Sequence, residues 1–560
     1  MKKKDLTGAE YICEFLKAND ISHVFYQELA FYWSTKIMDK YGIKDILAHS
    51  EAAAGYMADG YSRATNKLGV CMSQSIGSAN LAASIHDAWL GSTPVLALTG
   101  FKKDSMYQRN GYQESDHRAH FSGVTKYNEY TLDEQQLPFL LRQSVRAATT
   151  GQPRPVHLDV VGYAGEMAEK AIMEDTYLGD PGFAKMPPLR SAADVARVAE
   201  AAAIIDNAKK PVIVAGRGAK ISDPLGESLY ALASKGDIPV ATTPDGKATI
   251  DEHDALWAGV VGGYGMDCAN KTTGAADLVI YIGSMVSDQT TLTFTAPKMG
   301  TQIIQIDIDG SQIGKNYENT YGLLGDAKLV MDQLTAAIRE GSHPEWRKEV
   351  AAYVEDTINK QNACSTDAYP IQTGRLCQDL DDLIPDDAII VADTGWSATW
   401  GSTWLRLKPT NFFMRAAGSL GWSYPASLGA KCGAPDRPVI CFCGDGGFFY
   451  HMAEMETAMR YGINTVTVIN NNRRLNQCIP YVREAYQAEN DNHDDYRNKV
   501  TFFDKSFADI AKDFGVEAYK VEKAEDIKPA IKKALEANKP AIVEVCTDWF
   551  SDGPLPALEK

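Results

Sequence analysis

Short runs of β-branched and apolar residues, which end in Gly, Asp or Asn, alternate with helical stretches along almost the whole chain. Residues 94–99, 211–216, 388–393 and 438–443 are examples of the β-rich runs. Strands and helices that alternate in this way form parallel sheets, because two parallel strands need a crossover connection between them. The sequence therefore predicts an α/β fold of doubly wound, mostly parallel sheets.

Three blocks of this alternation follow one another. A chain of 560 residues is too long for a single hydrophobic core. We expect a first domain at residues 1–175, a central domain at 190–340 and a third domain at 368–560. A Pro- and Gly-rich stretch at 177–188 separates the first two, and a charged helix near 345–360 connects the last two.

Charge and hydropathy exclude several kinds of partner. The formal net charge of −17 argues against binding to nucleic acid or to an anionic membrane surface. No apolar run is long enough for a membrane span, and the basic start of the chain leads into no apolar signal core, so we expect a cytoplasmic protein. The ten cysteines include no C-x-x-C pair and are expected to be buried, reduced thiols.

Two polar motifs follow successive strands of the third block. These are Gly444-Asp445-Gly446-Gly447 and Asn470-Asn471-Asn472. Because successive parallel strands end at the same edge of a sheet, Asp445 and Asn472 are expected to lie close together. Their oxygens suit Mg²⁺, and the glycines allow the backbone to approach a phosphate. Either motif alone is more typical of a turn or a polar loop, whereas their combination favours a site for a cation and a phosphate.

This pair of motifs resembles the diphosphate-binding motif of thiamine-diphosphate enzymes, a GDG followed at similar spacing by NN. The resemblance implies that Asp445 and Asn472 bind Mg²⁺ and that the backbone carbonyl of Arg474 is a further ligand. Gly444, Gly446 and Gly447 would contact the diphosphate. The side chain of Arg474 is expected to be free.

Two further motifs of the family precede this pair. Asp393-Thr394-Gly395 matches the D-x-G that lies near the diphosphate. The stretch from Gly418 to Ala430 resembles G-x-M-G-x-x-x-P-A-x-x-G-A. Leu420 then stands where a bulky apolar side chain holds the cofactor in the V shape that brings its 4′-imino nitrogen against C2–H. Packing in the core is the alternative role for Leu420.

The first block carries the candidate activating residue. The stretch that begins His49-Ser50-Glu51 resembles H-E-x-x-A-x-x-x-A-x-G-Y-A-R of the acetolactate-synthase-like group, with Ser50 inserted. The resemblance implies that Glu51 bonds to N1′ of the aminopyrimidine and drives it to the imino tautomer that deprotonates C2. A first-turn glutamate stabilised by the helix dipole is the alternative.

Glu51 belongs to the first block and the metal motif to the third, so the cofactor is expected to bridge two domains. In the family these two domains come from different subunits. A homodimer or homotetramer with its active site at the subunit interface is therefore implied.

Two loops of the first block extend the resemblance. Residues 73–80 align with the loop T-S-G-P-G-A-T-N, although Ser75 and Ile76 replace Gly-Pro, and Asn80 is expected to contact the cofactor. The triplet Tyr112-Gln113-Glu114 matches F-Q-E and places Gln113 beside the reacting carbon as a hydrogen-bond donor.

The second block resembles the central domain of this group, which binds FAD in acetolactate synthases and ADP in oxalyl-CoA decarboxylases. Gly216-Arg217-Gly218 and residues 306–309 carry the likeness. Where the synthases have G-x-R-x-x-D-R, however, this chain has residues 283–289 without either arginine, which argues against FAD. A nucleotide site and a purely structural spacer domain both stay open.

The expected substrate pocket departs from the family. The usual F-G-x-P-G turn is replaced by Phe25-Tyr26-Gln27-Glu28-Leu29. Gln27, Glu28 and Leu29 would face the reacting carbon, with Glu28 as a second acid or base, and Leu475 and Asn476 would lie near the substrate. These residues favour a polar or unusual 2-oxo compound.

We therefore expect an enzyme that makes or breaks a carbon–carbon bond next to a carbonyl through the C2 ylide of thiamine diphosphate. It would act on a small 2-oxo acid, acyloin or diketone. Chemistry of the 2-hydroxyacyl-CoA lyase or oxalyl-CoA decarboxylase type is the alternative within the class. A cofactor-binding but inactive regulatory subunit is a different possibility, which the presence of Glu51, Asp445 and Asn472 together argues against.

Overall fold

The computed structural model describes residues 5–28, 30–487 and 498–549. Within them the chain forms three six-stranded sheets, and every strand pair in these sheets is parallel. Successive residues of a strand pack into different cores; Val212 and Ile213 are an example. Both faces of the sheets are therefore covered, as in a doubly wound α/β fold, and this prediction is confirmed.

The first sheet has its carboxyl edge beside the candidate activating residue. Its strands, in spatial order, are Lys44–Leu47, His23–Tyr26, Gly69–Ser73, Val95–Phe101, Val156–Val161 and Tyr127–Tyr130. Its helices are Gly8–Ala18, Tyr32–Met38, Glu51–Thr65, Gly77–Leu90, His117–Phe121, Leu137–Thr149 and Glu166–Lys170. A short antiparallel pair, Leu6–Thr7 with Ile172–Met173, joins the two ends of this domain.

The central sheet has the strand order Trp257–Val260, Val240–Thr242, Pro211–Ala215, Leu278–Ile282, Gln302–Asp307 and Thr320–Leu324. Its helices are Val195–Asn207, Arg217–Ser222, Glu227–Gly236, Asp267–Ala275 and Ala327–Ala337. The expected charged connection is the long helix Pro344–Cys364. The exact boundaries at residues 175, 190, 340 and 368 stay predictions.

The third sheet carries the metal motif. Its strand order is Phe412–Arg415, Ile389–Ala392, Val439–Gly444, Val466–Asn471, Ala541–Cys546 and Glu517–Val521. Its helices are Thr373–Asp381, Trp396–Trp404, Ser423–Gly433, Asp445–His451, Glu454–Tyr461, Ile479–Ala485, Phe507–Asp513 and Ile527–Glu536. Asn470 and Asn471 belong to the strand rather than to a loop, because they still pair with Val545 and Cys546.

Two tightly packed helices connect the first and third domains. In helix Glu51–Thr65, a Cβ atom at Gly60 would lie 2.0 Å from the backbone oxygen of Ala426. In helix Ser423–Gly433, a Cβ atom at Gly429 would lie 1.8 Å from the oxygen of Met57. The two helix backbones can approach this closely only because neither glycine has a side chain.

The substitution Gly429→Ala is expected to force these helices apart and to destabilise the protein by about 1–3 kcal/mol, the usual cost of overpacking. Thermal unfolding of the purified variant would measure the effect. Gly274→Ala is the matched control, since Gly274 also lies in a helix and an added Cβ would meet no atom within 4 Å. Equal melting temperatures for the two variants would contradict the packing argument.

In the part of the chain that the structure describes, no helix has the length and apolar character that a membrane crossing requires.

Candidate active site

A cavity of about 430 Å³ opens at the carboxyl edge of the third sheet. Most of the candidate cofactor residues line it. This position is expected, because ligands of open α/β sheets bind at the carboxyl ends of the strands. Those residues are Asp393, Gly395, Gly418, Leu420, Gly444, Asp445, Gly446, Gly447 and Asn472; the predicted metal ligand Arg474 and the predicted substrate residues Leu475 and Asn476 also line the cavity.

The two proposed metal ligands converge on one point of this cavity. The backbone N–H of Arg474 lies 3.0 Å from Oδ2 of Asp445 and 3.1 Å from Oδ1 of Asn472. Both side chains are buried, and burial raises the pKa of Asp445 to about 7. The sheet therefore brings one carboxylate oxygen and one amide oxygen together, which are ligands that Mg²⁺ accepts.

The described residues contain no cluster of three or more His, Cys, Asp or Glu side chains that could hold a metal ion. A cation between Asp445 and Asn472 would consequently need oxygens from elsewhere. Phosphate oxygens of a bound cofactor meet that need, since Mg²⁺ is commonly held by one or two carboxylates together with phosphates.

Asp393 has a different role from Asp445. Its carboxylate accepts hydrogen bonds from the backbone N–H of Gly421 at 3.0 Å and from the hydroxyl of Ser423 at 2.6 Å. It also touches Gly447, where an added Cβ would lie 3.0 Å from its Cγ. Asp393 therefore fixes the start of the 423–433 helix and occupies the space that a side chain at position 447 would need.

The segment that carries Gly418 and Leu420 is held by the first domain. The buried carboxylate of Asp87 accepts hydrogen bonds from the backbone N–H groups of Ala417, Gly418 and Ser419, at 2.8 to 3.0 Å. Leu420 is half-buried and faces the cavity. This position agrees with a supporting role under a cofactor and not with burial in the core alone.

The side chain of Arg474 is not free as predicted. It is only 2% exposed, and its guanidinium lies 4.9 Å from the centre of the Trp549 ring. The approach of Trp549, which follows the last strand of the sheet, was not visible in the local sequence around the metal motif.

Sequence reasoning also missed a residue that the central domain contributes to this cavity. Tyr264 lies in the loop after strand Trp257–Val260, and its hydroxyl accepts a hydrogen bond of 2.9 Å from Nε2 of Gln477. Ser402 holds the same loop by donating to the backbone oxygen of Tyr264 at 2.7 Å. Trp396, Trp400 and Cys478 complete the lining on this side.

Glu51 begins its helix, and the inserted Ser50 is the N-cap, because its hydroxyl accepts the backbone N–H of Ala53 at 3.1 Å. Oε2 of Glu51 accepts a hydrogen bond of 2.7 Å from the amide of Asn80. Its other oxygen faces Gly77, where an added Cβ would lie 2.5 Å away. Glu51 and Asn80 are thus in direct contact, and their expected contacts with a cofactor stay predictions.

Gln113 and Glu28 lie on loops at the same edge of the first sheet. Oε1 of Gln113 accepts the backbone N–H of Ile76 at 3.4 Å, and Oε2 of Glu28 accepts the amide of Gln74 at 2.7 Å. Both residues have a positive φ, 59° and 48°. Gln27 is half-buried beside Glu28, and Leu29 lies outside the described residues.

The two halves of the site are separate within one chain. Among the described residues that line the 430 Å³ cavity, none comes from the first domain, so Glu51, Asn80, Gln113 and Glu28 do not line it. Large apolar side chains near the edge of the first sheet are exposed, including Ile76 at 57% and Tyr112 at 74%.

A second cavity, of about 990 Å³, lies between the first and central domains. The half-buried side chain of Arg217 lines it and donates from Nη1 to Thr93 Oγ1 at 3.0 Å, while its buried Nε and Nη2 atoms have no hydrogen-bond partner among the described residues. Burial lowers the pKa of Arg217 to about 10. Gln289, at the position of a missing arginine, accepts a hydrogen bond of 2.7 Å from Arg415.

Three family models match this chain in the order of its domains. They are the N-terminal TPP binding domain of thiamine pyrophosphate enzymes at residues 6–120, the central domain at 198–334 and the C-terminal TPP binding domain at 393–545. The fold and these matches define a thiamine-diphosphate-dependent enzyme.

Proteins that match this chain along almost its full length identify its family within the thiamine-diphosphate enzymes. The chain is 30% identical to the probable acetolactate synthase large subunit of Methanocaldococcus jannaschii, over 97% of this chain and 92% of that protein. It is 30% identical to the corresponding protein of Methanococcus aeolicus, over 97% and 92%. It is 29% identical to the acetolactate synthase large subunit of Corynebacterium glutamicum, over 96% and 86%. The chain belongs to the acetolactate-synthase-like family of thiamine-diphosphate enzymes.

Proposed function

We propose that this enzyme uses thiamine diphosphate and Mg²⁺ to decarboxylate a 2-oxo acid and to join the remaining fragment to a second carbonyl compound. The observation that carries the proposal is the meeting of Asp445 Oδ2 and Asn472 Oδ1 at one backbone N–H inside the cavity. The names of the relatives, acetolactate synthase large subunits, support carboligation over simple cleavage.

Some residues of the chain would bind the cofactor and the metal ion, and another would transfer a proton. Bound thiamine diphosphate supplies a carbon nucleophile and an electron sink. Asp445, Asn472 and the carbonyl of Arg474 would hold Mg²⁺, while Gly444, Gly446 and Gly447 leave room for the diphosphate. Glu51 would hold a proton at the aminopyrimidine, with Asn80 fixing the orientation of its carboxyl.

The separation of the two halves supports a site shared between subunits. A second copy of the chain would bring its Glu51 to the cavity of the first, and the exposed Ile76 and Tyr112 would be covered in that contact. A homodimer is the smallest assembly that completes the site in this way, and a closed symmetric arrangement gives two such sites.

Turnover of pyruvate by the purified protein tests the proposal. With Mg²⁺ and thiamine diphosphate, we expect two molecules of pyruvate to give one CO₂ and one branched 2-hydroxy-3-oxo acid, identified by mass spectrometry. Acyloins, cyclic diketones and hydroxyacyl-CoA compounds belong in the same panel. Cofactor binding without turnover of any of them would contradict the proposal and favour an inactive regulatory subunit.

Glu28 gives a prediction about proton transfer to the substrate. If its carboxyl exchanges a proton with the reacting group, Glu28→Gln should lower kcat by about 10²-fold and remove one limb of the pH–rate profile. Glu28→Asp keeps an acid at this position and should retain that limb. An unchanged rate and pH profile in Glu28→Gln would show that Glu28 takes no part in proton transfer.

We further propose that the 990 Å³ cavity binds the diphosphate of a nucleotide. Two buried nitrogens of Arg217, Nε and Nη2, have no acceptor among the described residues, which supports this, because buried charged donors need an anionic partner. FAD and ADP share this diphosphate. Nucleotide released by heating the purified protein, together with its visible absorption, distinguishes them; a preparation with no nucleotide, and no thermal stabilisation by added FAD or ADP, would identify a structural domain instead.

A further inference from the structure

A continuous line of polar side chains, all buried except the half-buried Asn128 at its end, lies beneath the loop that carries Gln113. It crosses the first domain from strand Tyr127–Tyr130 to the turn at residues 75–77. Such a line is costly to bury unless every member is hydrogen-bonded, so its presence calls for a reason. Its members are Asn128, His157, Thr99, Asp159, His117 and Ser75.

His117 is the member that reaches the candidate active site. Its ring is 2% exposed, and Nδ1 lies 2.9 Å from Oδ2 of the buried Asp159. On the other side, Nε2 lies 3.3 Å from the hydroxyl oxygen of Ser75. That hydroxyl is also 2.7 Å from the backbone oxygen of Gln113. His117 therefore connects a core strand to the Gln113 loop through a single hydroxyl.

The number of available hydrogen atoms determines which atoms donate in the hydrogen bonds around Ser75. A serine hydroxyl has one hydrogen, and the carbonyl of Gln113 can only accept, so the Ser75 hydrogen goes to Gln113. Nε2 of His117 must then donate to Ser75 Oγ, and the 2.9 Å hydrogen bond between Nδ1 and Asp159 requires one further proton, on the ring or on the carboxyl. Asp159 thus orients the ring so that its other nitrogen supports Ser75.

The loop needs this support because its backbone is strained. Gln113 has a φ of 59°, a region that residues other than glycine seldom adopt. The turn that Ser75 begins also contacts the candidate activating residue, because Gly77 lies against Oε1 of Glu51. One turn consequently fixes both Gln113 and Glu51.

We propose that His117 is a positioning residue for the reaction. Held by Asp159, it keeps Ser75, and through Ser75 the strained Gln113, at the place where Gln113 meets the reacting carbon. This inference rests on the proposed function, in which Gln113 lies beside that carbon. His117 itself touches neither cofactor nor substrate.

Activity and cofactor binding of His117→Leu test the proposal. We expect kcat for pyruvate to fall by about 10²-fold, the effect of a small misplacement of a reacting group, with little change in the Kd for thiamine diphosphate. His117→Gln, which keeps a donor for Ser75, should recover part of kcat. His120→Leu is the matched control, since His120 lies on the same helix but contacts Ser78 instead, 3.3 Å away.

Ser75→Ala removes only the connecting hydroxyl. This variant tests the proposal even if His117→Leu does not fold. It should lower kcat as His117→Leu does, and combining either change with Gln113→Ala should give no further loss. Full activity of Ser75→Ala would overturn the proposal. Equal losses of kcat in His117→Leu and His120→Leu would also overturn it. A loss of kcat that is explained by weaker binding of thiamine diphosphate would do the same.

Backbone hydrogen exchange separates this inference from the proposed function. Residues 107–116 should exchange faster in His117→Leu than in His120→Leu, whether or not pyruvate is a substrate. Unchanged exchange there would overturn the positioning role even in an active enzyme. An inactive wild-type protein with the expected exchange would contradict the proposed function alone.

Discussion

Glu51→Gln is expected to lower kcat by about 10³-fold, within the range that a positioned acid or base contributes, while thiamine diphosphate still binds. A glutamine has nearly the shape of glutamate and can still bond to Asn80, which lies 2.7 Å from Oε2 in the structure. It cannot, however, hold and return a proton. Binding by isothermal calorimetry and turnover of pyruvate measure the two effects separately.

Glu227→Gln is the control for this prediction. Glu227 also stands in the first turn of a helix, but it is exposed and far along the chain from both halves of the site. If Glu51 serves only to stabilise its helix through the dipole, both variants should show a small loss of stability and near-normal kcat. That result would remove Glu51 from the mechanism.

Asp445→Asn is expected to weaken the binding of thiamine diphosphate with Mg²⁺ by roughly 100-fold, which corresponds to about 2.7 kcal/mol. The described lining of the 430 Å³ cavity contains two carboxylates, Asp393 and Asp445. The oxygens of Asp393 are occupied by Thr394, Gly421 and Ser423. Asp445 also accepts two backbone N–H groups, from Gly446 and Arg474, but of the two carboxylates it is the one that meets the oxygen of Asn472.

Titration of cofactor at several Mg²⁺ concentrations measures this effect. The variant should need far more Mg²⁺ than the wild type to reach half-saturation, since its amide oxygen carries no full charge. Asp436→Asn serves as control because Asp436 is an exposed residue that precedes strand Val439–Gly444. Equal Mg²⁺ dependence in the two variants would exclude Asp445 as the metal ligand.

The fold and the cofactor half of the site could be predicted because both depend on local signals. Gly444-Asp445-Gly446-Gly447 and Asn472 each follow a strand, and parallel connectivity alone brings the ends of such strands to one edge. Asp393 and Leu420 were expected there from their resemblance to motifs of the family, and both line the cavity.

Other features depend on contacts between distant parts of the chain. Tyr264 enters the cavity from the central domain, and Trp549 covers Arg474 from the end of the last strand. The support of Gln113 by His117 needs a strand more than forty residues away, through Asp159. The sequence around these residues contains no motif that predicts their contacts, so only the tertiary structure shows those contacts.

The central claim is that one active centre takes Glu51 from one subunit and Asp445 from another. A heterodimer of Glu51→Gln and Asp445→Asn chains, co-expressed with different tags and purified through both, tests it most directly. One of its two sites would contain both changes and the other neither, so we predict about half of the wild-type activity per dimer. Sites built within single chains would each carry one change, and a heterodimer as inactive as its two parents would contradict the claim.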